Sequence, residues 1–388
     1  MKSTVTPTIS SNLNTEEIAR YSRHLLLPEF GLKGQVSLKK SRILLVGAGG
    51  LGSPCILYLA AAGVGTIGLI DFDEVDTSNL QRQIIHGMSD VGRKKIDSAA
   101  ESIKEINPNI IVEKFDVRLD KENAINIISK FDLVLDGTDN FPTRYLVNDA
   151  CVIAKKPYVW GSIFRFEGQV SVFWEQAPNG MGINYRDLYP EPPPPEHAPS
   201  CSEGGVLGVL CAAVGAIMAT EAIKLIAGIG ESLIGKLLVY DALEMNYKKF
   251  PIHKKEDRFA PEALGDYDYF CGIDTEIENK IIPSISVHEL KNQLNENSPP
   301  TLIDVRESTE LDIVKLDYSL NFPKSNFNID KLPNGINKES SLVIMCKSGG
   351  RSSDVVQKFI ENGFTNVKNL EGGILNWIKE IEPELPAY

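Results

Sequence analysis

The chain has 388 residues, 43% of them hydrophobic and 24% charged, with a formal net charge of −12 at pH 7. That length suits two or three domains and that composition excludes a disordered chain. The acidic balance argues against broad binding to nucleic acid or an anionic membrane, both of which need a positive surface. The six cysteines are spread along the chain without a CxxC pair, which fits reduced thiols in a cytoplasm, where a cysteine serves chemistry rather than cross-linking.

The N-terminal MKSTVTPTISSNLNTEE is polar and has no apolar core, so no secretory signal is expected. Residues 15–27 read as a short amphipathic helix opened by Thr15. SRILLVG (41–47) reads as a buried parallel strand, 53–64 as a helix, and TIGLIDFD (66–73) as a strand ending in acids. A helix over 92–107, a strand over 110–117, a helix over 122–131 and the strand DLVLDGTD (132–139) follow. Strands alternating with helices predict a parallel α/β sheet.

Beyond residue 160 the pattern changes. GQVSVFW (168–174) has the alternation of an antiparallel strand, followed by an apolar helix over 204–227 and a strand over 236–242. The helix is rich in Gly and Ala and runs into Glu221 and Lys224, so it reads as a core helix rather than a membrane span. From Pro251 to Pro283 apolar periodicity fades, which suggests a linker. A second α/β unit then starts near Ser284, with helices over 287–295, 351–363 and 372–382 and strands over 301–307 and 341–350.

Gly47-Ala-Gly49-Gly50-Leu-Gly52 matches G-x-G-x-x-G between a strand and a helix. Such a loop brings backbone N–H groups and a helix N-terminus to a phosphate. Asp71, at the end of the next strand, can bind ribose hydroxyls. Alone, this favours a nicotinamide oxidoreductase. Arg82 and Lys95 shift the reading, because they could neutralise a triphosphate that a nicotinamide dinucleotide lacks. Asp139 ends the fourth predicted strand, faces the same crevice, and most simply holds Mg²⁺ beside a triphosphate. No G-x-x-x-x-G-K-[ST] is present, which excludes a P-loop ATPase.

The runs RYSRHLLL, VGAGGLGS, DFDEVDTSNLQRQ, LDGTDNFPTRYLVNDAC, GSIFRFEGQVSVF and SCSEGGVLGVL, in this order, closely resemble the MoeB/ThiF adenylating enzymes, bacterial relatives of the ubiquitin-activating enzymes. The resemblance covers residues 15–272. It implies ATP-dependent adenylation of the C-terminal Gly-Gly carboxylate of a ubiquitin-like sulfur carrier, with release of pyrophosphate. It also implies that Gly50, Asp71, Ser78, Asn79, Leu80, Gln81, Arg82, Lys95, Asp139 and Asn140 contact nucleotide or magnesium. Arg23 resembles an arginine that family members insert from the other subunit, which implies a homodimer.

Cys346 lies in C-K-S-G-G-R-S-S, between a strand and a helix, where Gly349 and Gly350 let the loop curl and backbone N–H groups converge on a thiolate. With LIDVRE (302–307) and EGGILNW (371–377), this segment resembles the rhodanese domain over 284–388. That implies a persulfide on Cys346, with Arg351 closing the loop. Four residues separate Cys346 from Arg351, one fewer than in related cysteine phosphatases, which favours sulfur over phosphoryl chemistry. One departure is the segment DIVKLDYSLNFP (312–323), where many rhodaneses have G-H-I-P-G-A.

The same adenylating family commonly holds a structural zinc with two C-x-x-C pairs. The matching positions here are Asn184, Asp187, Asp268 and Cys271, a donor set that predicts no zinc. Cys201 does match the cysteine that sulfur-transferring members link to the carrier or to the incoming sulfur. The proline run before it (Pro192 to Pro195) then reads as a crossover loop that delivers Cys201 to the adenylate. The expectation is a Rossmann-like, mostly parallel sheet in an adenylating domain (1–272), a linker (273–283) and a small α/β rhodanese-like domain (284–388). It would be cytoplasmic, with a cysteine desulfurase or thiosulfate as sulfur donor and neither nucleic acid nor membrane as partner. The carrier could belong to the molybdopterin, thiamine or a related pathway.

Overall fold

The computed structural model describes residues 13–178, 180–193, 205–256, 258–259, 261–271, 282–333 and 335–388. Cys201 and most of the expected linker lie outside them. The chain divides into two compact units, Met1–Asp274 and Thr275–Tyr388.

The first unit is built on one eight-stranded sheet: β1 (Arg42–Val46), β2 (Thr66–Ile70), β3 (Ile111–Phe115), β4 (Leu133–Asp136), β5 (Tyr158–Phe164), β6 (Glu167–Phe173), β7 (Lys236–Asp241) and β8 (Asn246–Pro251). The spatial order is β3-β2-β1-β4-β5-β6-β7-β8. The first five strands are parallel, and β6 to β8 continue the sheet antiparallel. β1, β2 and β4 are apolar on both faces because helices cover both. The order reverses between β1 and β4, and at such a switch point a crevice opens at the strands' carboxyl ends.

Three expectations are corrected. The predicted helix over 15–27 is two helices, Thr15–Arg20 and Ser22–Leu25, interrupted at buried Tyr21. Asn14, not Thr15, caps the first, through a reciprocal capping box with Glu17. The helix Phe141–Ala154 and β5 were not predicted, although Asn140 as N-cap and Pro142 in the first turn signal a helix start. Residues 252–271 are also no linker. Ile252, Tyr267 and Cys271 are buried in the core on one sheet face, and the Tyr267 hydroxyl donates to Asp149 at 2.9 Å. Polar contacts fix this segment, so it carries no apolar period.

The helix Gly208–Ala227 is long and apolar enough to cross a membrane. Here Leu210, Val214, Met218 and Ala222 belong to the core on the sheet's other face. Gly228, in the left-handed region at φ 67°, ends it.

The second unit is a five-stranded parallel sheet in the order β11-β10-β12-β13-β9. Its strands are β9 (Ser284–Ile285), β10 (Thr301–Asp304), β11 (Leu320–Asn321), β12 (Leu342–Met345) and β13 (Val367–Leu370). Helices Val287–Leu294 and Gly373–Glu380 cover one face and Gly350–Glu361 the other. β12 is central and buried throughout, so the loop that follows it starts from a rigid base.

Candidate active sites

The first site is the crevice above β1, β2 and β4. At Gly47 the backbone has φ +93°, which disfavours any side chain. A Cβ on Gly52, where the next helix begins, would fall 2.0 Å from the Gly47 carbonyl oxygen. The Asp71 carboxylate accepts from the N–H groups of Ala48 and Asp73, both at 2.9 Å, and so anchors the loop. Burial raises its pKa against the opposing charge of Lys95. Beneath the loop His86 donates through Nε2 to the Ala48 carbonyl at 3.1 Å, and its Nδ1 accepts from Ser98 Oγ at 2.8 Å. Burial pushes the His86 pKa down.

The resulting cleft has a volume of about 320 Å³. Gly47, Gly49, Gly50, Asp71, Arg82, Lys95, Asp139 and Asn140 all line it. Lys95, the first residue of its helix and only 6% exposed, pairs with Asp73 at 2.7 Å. Arg82 donates to the Ser78 carbonyl at 3.1 Å. Asp139 is exposed and lies three residues beyond β4, which ends at Asp136 rather than at Asp139. Thr138 donates to Asp136 through its N–H (3.0 Å) and hydroxyl (2.7 Å), and this turn ends the strand early.

Other expected residues are not on the cleft surface. Gly52 lies just below it, in the helix. Ser78, Asn79, Leu80 and Gln81 do not line it. Ser78 N–H and the Asn79 side chain are taken up by Asp76 in a capped turn, and Gln81 packs against Gly208. Arg23 is exposed on the helix Ser22–Leu25, also away from the cleft lining. Sequence reasoning missed Gln83, Arg118, Thr138 and Arg144 in the lining. Arg144 donates to the Thr138 carbonyl and lies over the rings of Phe141 (5.1 Å) and Trp160 (5.8 Å). Its place, one turn after the Asn140 cap, was the available signal.

The second site closes around one sulfur. Cys346 directly follows β12 and is 1% exposed. The Gly349 N–H donates to its Sγ at 3.1 Å and the Ser352 hydroxyl at 3.2 Å. Gly349 caps the helix Gly350–Glu361 at φ +103°. The expected curl is therefore made by Gly349, while Gly350 is already helical. Arg351 makes a bidentate ion pair with Glu310, at 2.6 and 2.8 Å. Tyr388 donates to Glu310 at 2.8 Å and accepts from Arg306 at 2.8 Å. Arg306 pairs with Asp304, and both side chains are 0% exposed. Burial works to raise the Glu310 pKa, but Arg351 and Tyr388 hold it below the usual carboxylate value. Ser352, Glu310, Arg306 and Tyr388 were not foreseen.

The four positions matched to zinc ligands are otherwise engaged. Asn184 accepts from Arg186 N–H and donates to Glu175, each at 2.9 Å. Asp187 accepts from Asn184 N–H at 2.8 Å and Lys255 N–H at 2.9 Å, and pairs with Arg258, which also binds Glu175. Asp268 lies 3.5 Å from Arg118. Cys271 is buried, which pushes its thiol up to about 11. A second buried pair, Arg186–Asp149 at 2.7 Å, lies alongside.

The chain belongs to the ThiF family, which matches residues 21–260, and residues 286–380 match the rhodanese-like domain. It is thus a bifunctional adenylyltransferase and sulfurtransferase, a class that uses ATP, and not the nicotinamide oxidoreductase that its glycine loop alone would favour. Over 385 residues it is 53% identical to the probable adenylyltransferase/sulfurtransferase MoeZ of Mycobacterium tuberculosis, covering 98% of this chain and 97% of that one. It is 39% identical over 401 residues to adenylyltransferase and sulfurtransferase MOCS3-1 of Zea mays, covering 97% and 85%. Among solved structures, E. coli MccB with a MccA peptide superposes at TM-score 0.56 and 20% identity, over 65% of this chain and 76% of that one. PaaA superposes at 0.55 and 22%, over 66% and 79%. These two likenesses show the fold of the first unit's sheet and helices alone.

Proposed function

We propose that the chain adenylates the C-terminal Gly-Gly carboxylate of a ubiquitin-like sulfur carrier and then converts it to a thiocarboxylate with sulfur carried on Cys346. The observation that carries the first half is the cleft, where a glycine loop, Lys95, Arg82 and Asp139 converge on one crevice. A carboxylate oxygen attacks the α-phosphorus of ATP, the bond to the β-phosphate breaks, and pyrophosphate leaves with the electron pair. Lys95 and Arg82 hold the triphosphate, loop N–H groups meet its oxygens, and Asp71 orients the ribose while holding the loop. Asp139 would hold Mg²⁺ together with the phosphates, and the ion would supply charge neutralisation at the leaving group. Arg23 completes the site from a second copy in a homodimer, a reading supported by its exposure away from its own cleft.

In the second half the Cys346 thiolate attacks the outer sulfur of a donor, a cysteine-desulfurase persulfide or thiosulfate. A sulfur–sulfur bond forms, and the donor's thiolate or sulfite leaves. Gly349 N–H and Ser352 support the charge on the sulfur. The persulfide attacks the acyl-adenylate carbon and AMP leaves. A second thiol, for which Cys201 is the candidate, breaks the remaining sulfur–sulfur bond, releasing the thiocarboxylate and leaving a disulfide that a thiol reductant resets. The division of labour is an adenylating domain over 1–272 and a sulfur-transferring domain over 284–388, joined at 273–283, in a cytoplasmic enzyme. The pathway is that of molybdopterin, thiamine or a related sulfur-containing product.

No zinc is required in this reading, because Asn184 and Asp187 are committed to other partners and Cys271 is buried with a raised pKa. Metal analysis of the purified protein tests this, and one zinc per chain would overturn it. Mass spectrometry of candidate carriers incubated with enzyme, ATP, Mg²⁺ and a sulfur donor tests the whole. A gain of AMP followed by exchange of AMP for sulfur is expected, and carriers left unmodified under all donors would sink the proposal.

A further inference from the structure

Two cations flank the sulfur loop, Lys347 immediately after Cys346 and Arg351 at the loop's end, and a single aromatic side chain reaches both. The Lys347 ammonium lies 4.7 Å from the centroid of the Tyr388 ring. The hydroxyl of the same residue donates to Glu310, whose two carboxylate oxygens grip Arg351. It also accepts from Arg306, which is locked onto Asp304 at the end of β10 and over the Tyr388 ring at 5.8 Å. Tyr388 is half-buried against the core cluster that contains Trp377 and Ile374.

We infer that Tyr388 is a positioning residue for sulfur transfer, holding Lys347 through its ring face and Arg351 through Glu310. The inference rests on the reading of Cys346 as the sulfur carrier. A lysine side chain is a flexible point charge and an arginine a planar fork, so each is useful to an anion only once its geometry is set. The ring face attracts the ammonium and limits its rotamers. The Glu310 carboxylate matches the guanidinium fork and is itself oriented by the phenol. Donor and persulfide are both anionic, so two cations fixed beforehand act on donor capture rather than on the bond-breaking step.

The test uses the full chain with thiosulfate as donor and cyanide as acceptor. The Cys346 thiolate takes the sulfane sulfur, sulfite leaves with the electron pair, and cyanide removes the sulfur as thiocyanate to restore the thiolate. Tyr388→Leu removes both ring face and hydroxyl and is expected to raise the KM for thiosulfate by about tenfold, with kcat changed by less than about threefold. Tyr388→Phe keeps the ring, and KM is expected to rise by about threefold. A purely structural role would lower the melting temperature and the fraction of active enzyme without moving KM. Wild-type KM in both variants, or a loss confined to kcat, overturns the inference. A wild-type chain that makes no more thiocyanate than Cys346→Ala overturns the reading of Cys346 itself and the inference with it.

Discussion

Both units present the same local device, a central parallel strand that runs into a glycine loop and then a helix N-terminus, yet the two loops enclose different things. After β1 the loop stays open over a cleft of about 320 Å³, edged by Lys95, Arg82, Asp71 and Asp139. After β12 the loop closes on Cys346, which accepts from Gly349 N–H and the Ser352 hydroxyl and is almost wholly buried. The glycines differ in kind as well. Gly52 is demanded by contact, since a Cβ there would strike the Gly47 carbonyl, whereas Gly349 is demanded by its φ of +103°, and a Cβ there would meet nothing closer than 3.4 Å. One geometry accommodates a polyanion with side-chain charges at the rim. The other concentrates donors on a single atom.

The contrast can be broken most sharply by removing the sulfur. Cys346→Ala should abolish sulfur transfer to cyanide while ATP–pyrophosphate exchange with a carrier stays at wild-type rate, and a parallel loss of exchange would show that the sites are not separable. Lys95→Ala should lower exchange by about 10²–10³-fold, the scale for losing one charge-stabilising group, and leave thiocyanate formation unchanged. Gly52→Ala should destabilise the first unit by about 1–3 kcal/mol through overpacking against backbone. Gly349→Ala should cost about 1–2 kcal/mol of backbone strain in the second. Differential scanning calorimetry that found the two substitutions acting on the same transition would count against two independent loops.

The smallest effect concerns acidity. Burial holds the His86 pKa below its ordinary 6.5. The unfolded chain therefore binds the proton more readily than the folded one. Stability from neutral His86 is fully present above about 6.5 and is lost as pH falls through the depressed folded value. His86→Gln can still donate to Ala48 and accept from Ser98, so the gap in melting temperature between wild type and variant should narrow from pH 7.5 to 5.5. A gap independent of pH would remove His86 as the titrating group.

What was legible in the sequence was what the backbone decides locally. Gly47 to Gly52, Asp71 and the Cys346 loop each sit at a strand end, and hydrophobic runs mark strand ends well, while Lys95 is the first residue of its helix. Ser78 to Gln81 lie outside the cleft lining, and Asp76 engages Ser78 and Asn79 in a capped turn, a role short polar side chains take as readily as ligand binding. Glu310 and Tyr388 were invisible because only the folded sheet brings β10, the Cys346 loop and the end of the sequence together. Residues 252–271 show no apolar period for a related reason, since ion pairs leave no periodic trace, and it was the family resemblance that placed them in the first domain.

The Arg258–Asp187–Glu175 cluster has a meaning for an enzyme that handles reactive sulfur. A closure built from guanidinium and carboxylates offers nothing for a persulfide to exchange with, and oxidants cannot loosen it. Burial also pushes the thiols of Cys55, Cys151 and Cys271 up, and so keeps them protonated. Cys346 instead precedes a helix N-terminus and has two donors aimed at its sulfur. Buried and protonated, Cys55, Cys151 and Cys271 are weak nucleophiles toward a sulfur–sulfur bond.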